Sequence, residues 1–239
     1  NSHFGTKTPF YSCVCVCDHF FCRFIGEEST AAGSTCLLTD DPTWIIDPID
    51  GTCNFVHRGI HVLLMAVRII VPLSFFLLQL EFGVIYHCTE EKMYTGRRGH
   101  GAFCNQERLQ VTKQTDIRNA LIVTEIGPKR DPATLKLFLS NIETFLKYHA
   151  HGVRVIGSAT LALCHIAAGT ADAFYQYGLH CWDLAAATVI IREAGGVVID
   201  TTGGPLDLMS CRVVAAGTME LAQSIAHELQ TIDYGRDDS

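Results

Sequence analysis

Two carboxylates lie at the end of an apolar stretch, residues 44–50, which reads Trp-Ile-Ile-Asp-Pro-Ile-Asp. This order predicts a buried strand that ends in a tight turn carrying Asp47 and Asp50. Buried carboxylates need a compensating charge, and a divalent metal with oxygen ligands commonly supplies it. Gly51 and Thr52 follow at once, and such a step can present backbone N–H groups to an anion. The segment therefore predicts a metal and phosphate site, with an ordinary strand-to-turn junction as the plainer interpretation.

Two other acidic positions could join this site. Glu27 and its neighbour Glu28 on their own are typical of a solvated turn, and Asp183 on its own is typical of a helix N-cap. Together with Asp47 and Asp50 they would offer oxygen ligands for Mg²⁺. Two ions about 4 Å apart can hold both an attacking water and a leaving oxygen.

Gly157 and Ser158 form a second candidate phosphate site, because they lie where a predicted strand ends and a predicted helix begins. The free N–H groups and the dipole of a helix N-terminus favour an anion. A plain helix cap at Ser158 is the alternative.

The composition narrows the classes of function. The chain has 239 residues, of which 48% are hydrophobic and 18% charged, so it can bury a substantial core. Its net charge of −7 and the lack of a basic stripe argue against nucleic acid as a partner. An acidic protein that handles phosphate needs cations to offset the repulsion, in agreement with the predicted metal site.

The eleven cysteines are odd in number and mostly isolated in apolar surroundings, as at Cys164, Cys181 and Cys211. This pattern is typical of reduced thiols in a cytoplasmic protein. A cluster near the start lacks the C-x2-C spacing of common zinc sites, so zinc is not favoured there; its members are Cys13, Cys15, Cys17 and Cys22. The start also lacks the pattern of a cleavable signal peptide.

Residues 62–80 are the one stretch that suggests a membrane, but Arg68, Pro72 and Gln79 interrupt it. A spanning helix needs about 20 predominantly apolar residues. We therefore predict two adjacent buried strands broken at Pro72, and no membrane partner.

The remaining pattern alternates strands and helices, which predicts a mixed α/β fold over residues 23–239, while residues 1–22 are left unassigned. Helices are predicted to begin at Asp131, Ser158, Asp183 and Thr218, each a capping residue before an apolar face. Strands are predicted at residues 82–87, 92–95, 121–125, 153–156, 172–177, 197–199 and 213–215.

Three motifs together resemble those of the inositol monophosphatase family. Residues 44–55, with Asp-Pro-Ile-Asp-Gly-Thr at 47–52, resemble its first motif, and Trp-Asp at 182–183 through Gly-Gly at 195–196 resembles its second. Phe-Ile-Gly-Glu-Glu-Ser at 24–29 resembles the stretch that supplies an acidic ligand. The resemblance covers about residues 23–58 and 81–239. Residues 1–22 do not carry the family's N-terminal helical region.

The resemblance implies an α/β fold, a layered αβαβα sandwich without its N-terminal helices. It implies Mg²⁺-dependent hydrolysis of myo-inositol monophosphate by a lithium-sensitive, cytoplasmic homodimer that serves inositol recycling and phosphatidylinositol signalling. Two alternatives stay open. One is a sister phosphatase acting on sugar bisphosphates or nucleotide 3′-phosphates. The other is a catalytically impaired chain that acts as a dimer partner.

The resemblance also implies roles for particular residues. The ions would be held by Glu27, Asp47, the Ile49 carbonyl, Asp50 and Asp183. Glu27 and Thr52 would orient the attacking water. The substrate would contact Asp50, Gly51, Thr52, Gly157, Ser158, Ala159, Gln176 and Asp183. Gln176 stands where the best-known family member has a Glu, and its neutral amide has a different hydrogen-bonding pattern.

Overall fold

The computed structural model describes residues 23–39, 41–57, 62–70, 79–232 and 234–239, with the backbone alone for residues 55, 62–70 and 79. The interpretations made for residues 1–22, including their four cysteines, and for the break at Pro72 lie outside these ranges.

The strands of the first half of the described chain form a seven-stranded sheet, in which they lie side by side in chain order. The first two strands are parallel and each later neighbouring pair is antiparallel. The strands are β1 (Arg23–Gly26), β2 (Thr43–Asp50), β3 (Val62–Ile70), β4 (Gln79–His87), β5 (Lys92–Arg97), β6 (Gly101–Cys104) and β7 (Glu107–Arg108). The strand predicted within the first part of residues 62–80 is confirmed as β3, which pairs with β2 and β4.

The strands of the second half of the described chain form a five-stranded sheet in the order β11-β12-β10-β8-β9. Its strands are β8 (Leu121–Thr124), β9 (Gly152–Arg154), β10 (Ala173–Tyr177), β11 (Val197–Ile199) and β12 (Arg212–Ala216). Strand β8 is parallel to both β9 and β10, whereas β12 is antiparallel to its two neighbours.

The helices are α1 (Glu27–Ala31), α2 (Thr52–Val56), α3 (Pro132–Lys147), α4 (Ala159–Ala167), α5 (Cys181–Glu193) and α6 (Met219–Glu228). The predicted caps Asp131, Ser158 and Thr218 are confirmed, since each side chain accepts a backbone N–H of the first turn. The prediction that Asp183 opens a helix is wrong. Helix α5 begins at Cys181, and the Asp183 carboxylate folds back to accept the N–H of His180 at 2.7 Å. No helix in the described ranges has the length and apolarity needed to cross a membrane.

Adjacent residues of the small sheet pack into two different cores because side chains alternate between the faces of a strand. Val123, Phe174 and Val213 pack with α4, α5 and the large sheet. Their neighbours Ile122, Tyr175 and Val214 pack with α3 and α6. The described residues thus supply large sheet, helices, small sheet, helices, which are four layers of the predicted αβαβα sandwich.

Helix α5 approaches the large sheet at two glycines. A Cβ atom on Gly83 of β4 would lie 2.5 Å from the carbonyl oxygen of Ala186, and one on Gly96 of β5 would lie 2.8 Å from the Cα of Ile190. Backbone against backbone leaves no room for a side chain. These contacts fix the height of α5 above the sheet, and with it the position of Asp183 in its first turn.

Candidate active site

Three carboxylates from two distant parts of the chain meet at the end of β2. Asp47 and Asp50 lie on that strand, and Asp183 lies in the first turn of α5. Their carboxylate oxygens all lie within 4.8 Å of one another. Asp47 is 1% exposed and Asp50 is 8% exposed. The predicted convergence of these acids is therefore present in the fold.

The electrostatics of this group favour a bound cation. Burial, with the charges of Asp50 and Glu27, raises the pKa of Asp47 to about 8. Burial also raises the pKa of Asp183, and the nearby Asp50 charge adds to the effect. The pKa of Glu27 is raised by burial and then by the charge of Glu28. Mutual repulsion and desolvation both oppose ionisation here, so either protons or a cation must compensate.

The oxygens of Asp47 test whether a metal fits. Its Oδ1 accepts the N–H of Ile49 at 3.0 Å, whereas its Oδ2 is buried without a hydrogen-bond partner. Buried polar atoms are nearly always satisfied, so an orphaned oxygen facing other carboxylates marks a place for a cation. All the donors are oxygens, the set that Mg²⁺ prefers. The residues fit the ion that the sequence predicted.

Asp50 is held by the N-terminus of α4. The Ser158 hydroxyl donates to Asp50 Oδ2, and the N–H of Thr160 donates to the same oxygen at 3.1 Å. These bonds lower the pKa of Asp50, but burial outweighs them and the pKa is raised. The start of α4 thus binds a carboxylate of the chain itself, which orients that carboxylate toward Asp47 and Asp183.

Glu125, which the sequence reasoning missed, fixes the loop before α4. Its Oε1 accepts the N–H of Ile156 at 2.7 Å and that of Gly157 at 2.8 Å. Burial raises its pKa despite these two bonds. The Gly157 N–H is therefore already used within the chain. A sequence signal existed, because Glu125 directly follows the apolar strand β8, just as Asp47 directly follows the apolar residues Trp44 to Ile46.

The turn after β2 lies against this loop. Gly51 has a φ of +73° and a Cβ there would lie 2.8 Å from the carbonyl oxygen of Gly157. Asn54 in α2 donates to the carbonyl of Ile156 at 3.1 Å. Thr52, the first residue of α2, is exposed. The two glycine steps named from the sequence thus meet beside the carboxylates.

The expected substrate contacts of Ala159 and Gln176 stay predictions. Ala159 is buried at the start of α4. Gln176 lies on β10 and is 5% exposed, its Oε1 has no hydrogen-bond partner, and it lines a small cavity with Glu125. An unsatisfied buried amide oxygen is free to accept a bond from a ligand.

Asp237, near the C-terminus, fixes the start of α5 and was also missed by sequence reasoning. Its Oδ2 accepts the N–H of Cys181 at 2.9 Å, and its Oδ1 lies 2.6 Å from Nδ1 of His180. The prediction of reduced cysteines in apolar surroundings is confirmed for Cys164, Cys181 and Cys211, which are free and buried. Cys181 lies 3.7 Å from Cys36 between sulfur atoms, and Cys211 lies 3.4 Å from Asp237 Oδ1.

Comparison with known proteins identifies a family with the motifs described above. The sequence profile of the inositol monophosphatase family matches residues 21–234. Human inositol monophosphatase 2 is 70% identical over 217 residues, covering 90% of this chain and 73% of that protein. Bovine inositol monophosphatase 1 is 54% identical over 215 residues, covering 90% of this chain and 76% of that protein.

Solved structures agree with the fold. The extragenic suppressor protein suhB of Bartonella henselae superposes with a TM-score of 0.75 at 26% identity, covering 92% of this chain and 81% of that one. An inositol monophosphatase from Anabaena gives a TM-score of 0.73 at 24% identity, with 90% and 81% covered. On the sequence match over residues 21–234, the chain belongs to the inositol monophosphatase family of phosphatases.

Proposed function

We propose that this chain hydrolyses myo-inositol monophosphate to inositol and phosphate with Mg²⁺ as its cofactor. The observation that carries the proposal is the orphaned Oδ2 of Asp47 within a group of three converging carboxylates. The names of the relatives support the substrate. The human and bovine proteins are called inositol monophosphatases, and a solved structure of inositol monophosphatase II from Staphylococcus aureus contains bound inositol monophosphate.

Different residues of the site would bind the metal, orient the water and position the ligands. Asp47, Asp50 and Asp183 would hold Mg²⁺, together with Glu27 beside Asp47 and the carbonyl of Ile49. Bound Mg²⁺ would supply a Lewis-acid charge and lower the pKa of a bound water. Glu27 and the exposed hydroxyl of Thr52 would orient that water. Ser158 and Thr160 keep Asp50 directed into the group by their hydrogen bonds.

The substrate side is proposed from the same neighbourhood. Gly51 and Thr52 would place backbone N–H groups on the phosphate, since the first N–H groups of a helix such as α2 have no acceptor within the helix. Ala159, Ser158 and Gly157 would lie along the inositol, and the unpartnered oxygen of Gln176 would accept one of its hydroxyls. Homodimerisation, lithium sensitivity, a cytoplasmic location and a role in inositol recycling and phosphatidylinositol signalling complete the proposal.

The test is phosphate release from inositol 1-phosphate by the whole chain across a Mg²⁺ titration. We expect release that depends on Mg²⁺ and falls at least about 100-fold in Asp50→Asn, because the variant loses a charged ligand. Glu143→Gln is the matched control, since Glu143 is an exposed carboxylate on α3 that pairs with Lys147. Equal turnover by the Asp50→Asn and Glu143→Gln proteins would refute the proposal.

A substrate panel distinguishes the alternatives. A preference for sugar bisphosphates or nucleotide 3′-phosphates at equal Mg²⁺ would assign a sister activity. Absence of release from every substrate would indicate the impaired dimer partner, provided that a thermal melt shows a folded chain. Size-exclusion chromatography of the same sample would show whether that chain forms a dimer.

A further inference from the structure

A second cluster of side chains that could hold a metal ion shares no residue with the carboxylate group and lies where the C-terminal segment meets the start of α5. It is formed by Cys36, which follows α1, by Cys181, the first residue of α5, and by Asp237. One ligand atom from each lies within 4.8 Å of the other two. Cys36 and Cys181 are buried at 5% and 0% exposure. The three residues come from parts of the chain separated by 145 and 56 positions.

The spacing of the two sulfur atoms fits a bound zinc ion. The Sγ atoms of Cys36 and Cys181 lie 3.7 Å apart. Two thiolates at about 2.3 Å from zinc in a tetrahedral arrangement are separated by about 3.8 Å. A disulfide bond would need about 2.05 Å, so the pair must move together to form one. The existing separation is that of a thiol–thiol hydrogen bond, and it also suits two ligands on one ion.

The donor chemistry separates this cluster from the carboxylate group. Thiolates select soft or borderline ions such as Zn²⁺, whereas oxygen ligands suit Mg²⁺. We propose that Cys36, Cys181 and Asp237 form a zinc site in which water completes the tetrahedron. Binding releases the two thiol protons to solvent, and no oxidation takes place. The ion would join the segment after α1 to the start of α5, two residues before Asp183.

A neighbouring set shares the same aspartate and supplies an internal control. His180, Cys211 and Asp237 also place one ligand atom each within 4.8 Å of one another. Both oxygens of Asp237 have partners within the protein, since Oδ1 lies 2.6 Å from His180 Nδ1 and 3.4 Å from the Cys211 sulfur and Oδ2 accepts the Cys181 N–H. The second set differs from the proposed site in having a single sulfur. The proposed site needs Cys36 and Cys181, whereas the neighbouring set needs Cys211.

The experiment uses Co²⁺ as a spectroscopic substitute for Zn²⁺ on the whole chain, with excess Mg²⁺ and a phosphine reductant present. Cobalt bound by thiolates absorbs in the near ultraviolet by charge transfer, and cobalt bound only by carboxylates does not. We expect this absorption in the wild-type chain, its loss on adding equimolar Zn²⁺, and at least a tenfold weaker Zn²⁺ affinity in Cys36→Ala. Cys211→Ala should keep both the absorption and the affinity.

The carboxylate group is tested separately by Asp50→Asn, which should lose phosphatase activity and keep the charge-transfer absorption. Thermal melts check that each variant is folded. If Cys36→Ala does not fold, Cys36→Ser replaces it in the experiment. Absence of the absorption in the wild-type chain overturns the zinc site, as does its loss in Cys211→Ala with retention in Cys36→Ala. A disulfide pair would also overturn the zinc site. It would appear as two fewer titratable thiols without reductant, together with no charge-transfer absorption when reductant is present.

Discussion

The Ser158 hydroxyl donates a hydrogen bond to Asp50 Oδ2, and the same oxygen of Ser158 accepts the N–H of Leu161 at 3.1 Å. One side chain therefore caps α4 and orients a candidate metal ligand. Residues that orient a ligand in this way commonly affect metal affinity almost as much as the ligand itself. Because one hydroxyl has both roles, a mutation of Ser158 should affect the helix cap and the metal affinity together.

Ser158→Ala should weaken both properties. We expect the Mg²⁺ concentration for half-maximal phosphate release to rise about 10- to 100-fold, because Asp50 loses its hydroxyl donor. The free energy of unfolding should fall by about 1 kcal/mol through the lost cap. Thr218→Ala is the matched control, since Thr218 caps α6 in the same way and contacts the carbonyl of Gln114 instead of a carboxylate. An equal Mg²⁺ requirement in the two variants would exclude the orienting role.

Asp47→Asn should make the metal-free chain more stable. Asp47 is buried against other carboxylates and its pKa is raised to about 8, so at neutral pH the metal-free fold must keep this carboxyl protonated, and a neutral amide removes the cost of taking up that proton. Substitutions that relieve such a site commonly raise the free energy of unfolding by about 1–2 kcal/mol and reduce function. The measurement is a thermal melt with chelator and with saturating Mg²⁺. The wild-type chain should gain stability from Mg²⁺.

The Asp47→Asn chain should gain little from Mg²⁺ in that experiment, and Glu143→Gln should behave as the wild type does. A lower melting temperature of the Asp47→Asn chain in chelator would show that the carboxylate is stabilised by the fold without an ion.

The sequence predicted that Asp47, Asp50 and Asp183 converge, and the fold brings these three carboxylates together. Asp47 and Asp50 lie at the end of the apolar strand β2, and charge in such a place has few explanations. Glu125 has the same signal on a later strand, but no family motif drew attention to it. Asp237 could not be foreseen, because its partners His180 and Cys181 lie 57 and 56 positions away. Local sequence carries no record of which distant N–H a carboxylate will accept.

The start of α5 shows why one boundary was wrong. Asp183 looked like a cap, since an acid before an apolar face is a common helix start. It lies in the first turn instead, where an acid also interacts favourably with the helix dipole. Both positions suit the residue equally, so only the contact with the His180 N–H separates them.

Gly96→Ala should displace α5 and reduce activity through Asp183. The new Cβ would lie 2.8 Å from the Cα of Ile190, which is backbone and cannot rotate away. Overpacking of this kind costs about 1–3 kcal/mol. We expect a lower melting temperature and a raised Mg²⁺ requirement. Gly204→Ala is the control because a Cβ there meets only Thr202 Oγ1 at 3.6 Å. A purely thermal effect at Gly96, with Mg²⁺ dependence unchanged, would show that Asp183 is held independently of the sheet.

Asp200 should carry an acid-sensitive part of the stability. It is 4% exposed, and its two oxygens lie 3.1 and 2.9 Å from Arg212 Nε. Burial acts to raise its pKa, but bonds from Thr202, Arg212 and Ser210 outweigh burial and the pKa is lowered. A lowered folded-state pKa means that the contribution is present above the unfolded pKa of about 4 and is lost as the pH falls through the folded value.

Asp200→Asn should therefore cost about 2–3 kcal/mol at pH 7, because Arg212 keeps a partly buried charge without its partner. The difference in unfolding free energy between the wild type and this variant should shrink as the pH falls from 5 toward 3. Denaturant unfolding at several pH values measures it. Asp116→Asn should have a much smaller effect, since its pair with Arg118 is exposed to solvent and such pairs contribute little. A difference between wild type and Asp200→Asn that stays constant with pH would mean that Asp200 stabilises the fold by packing and not by its charge.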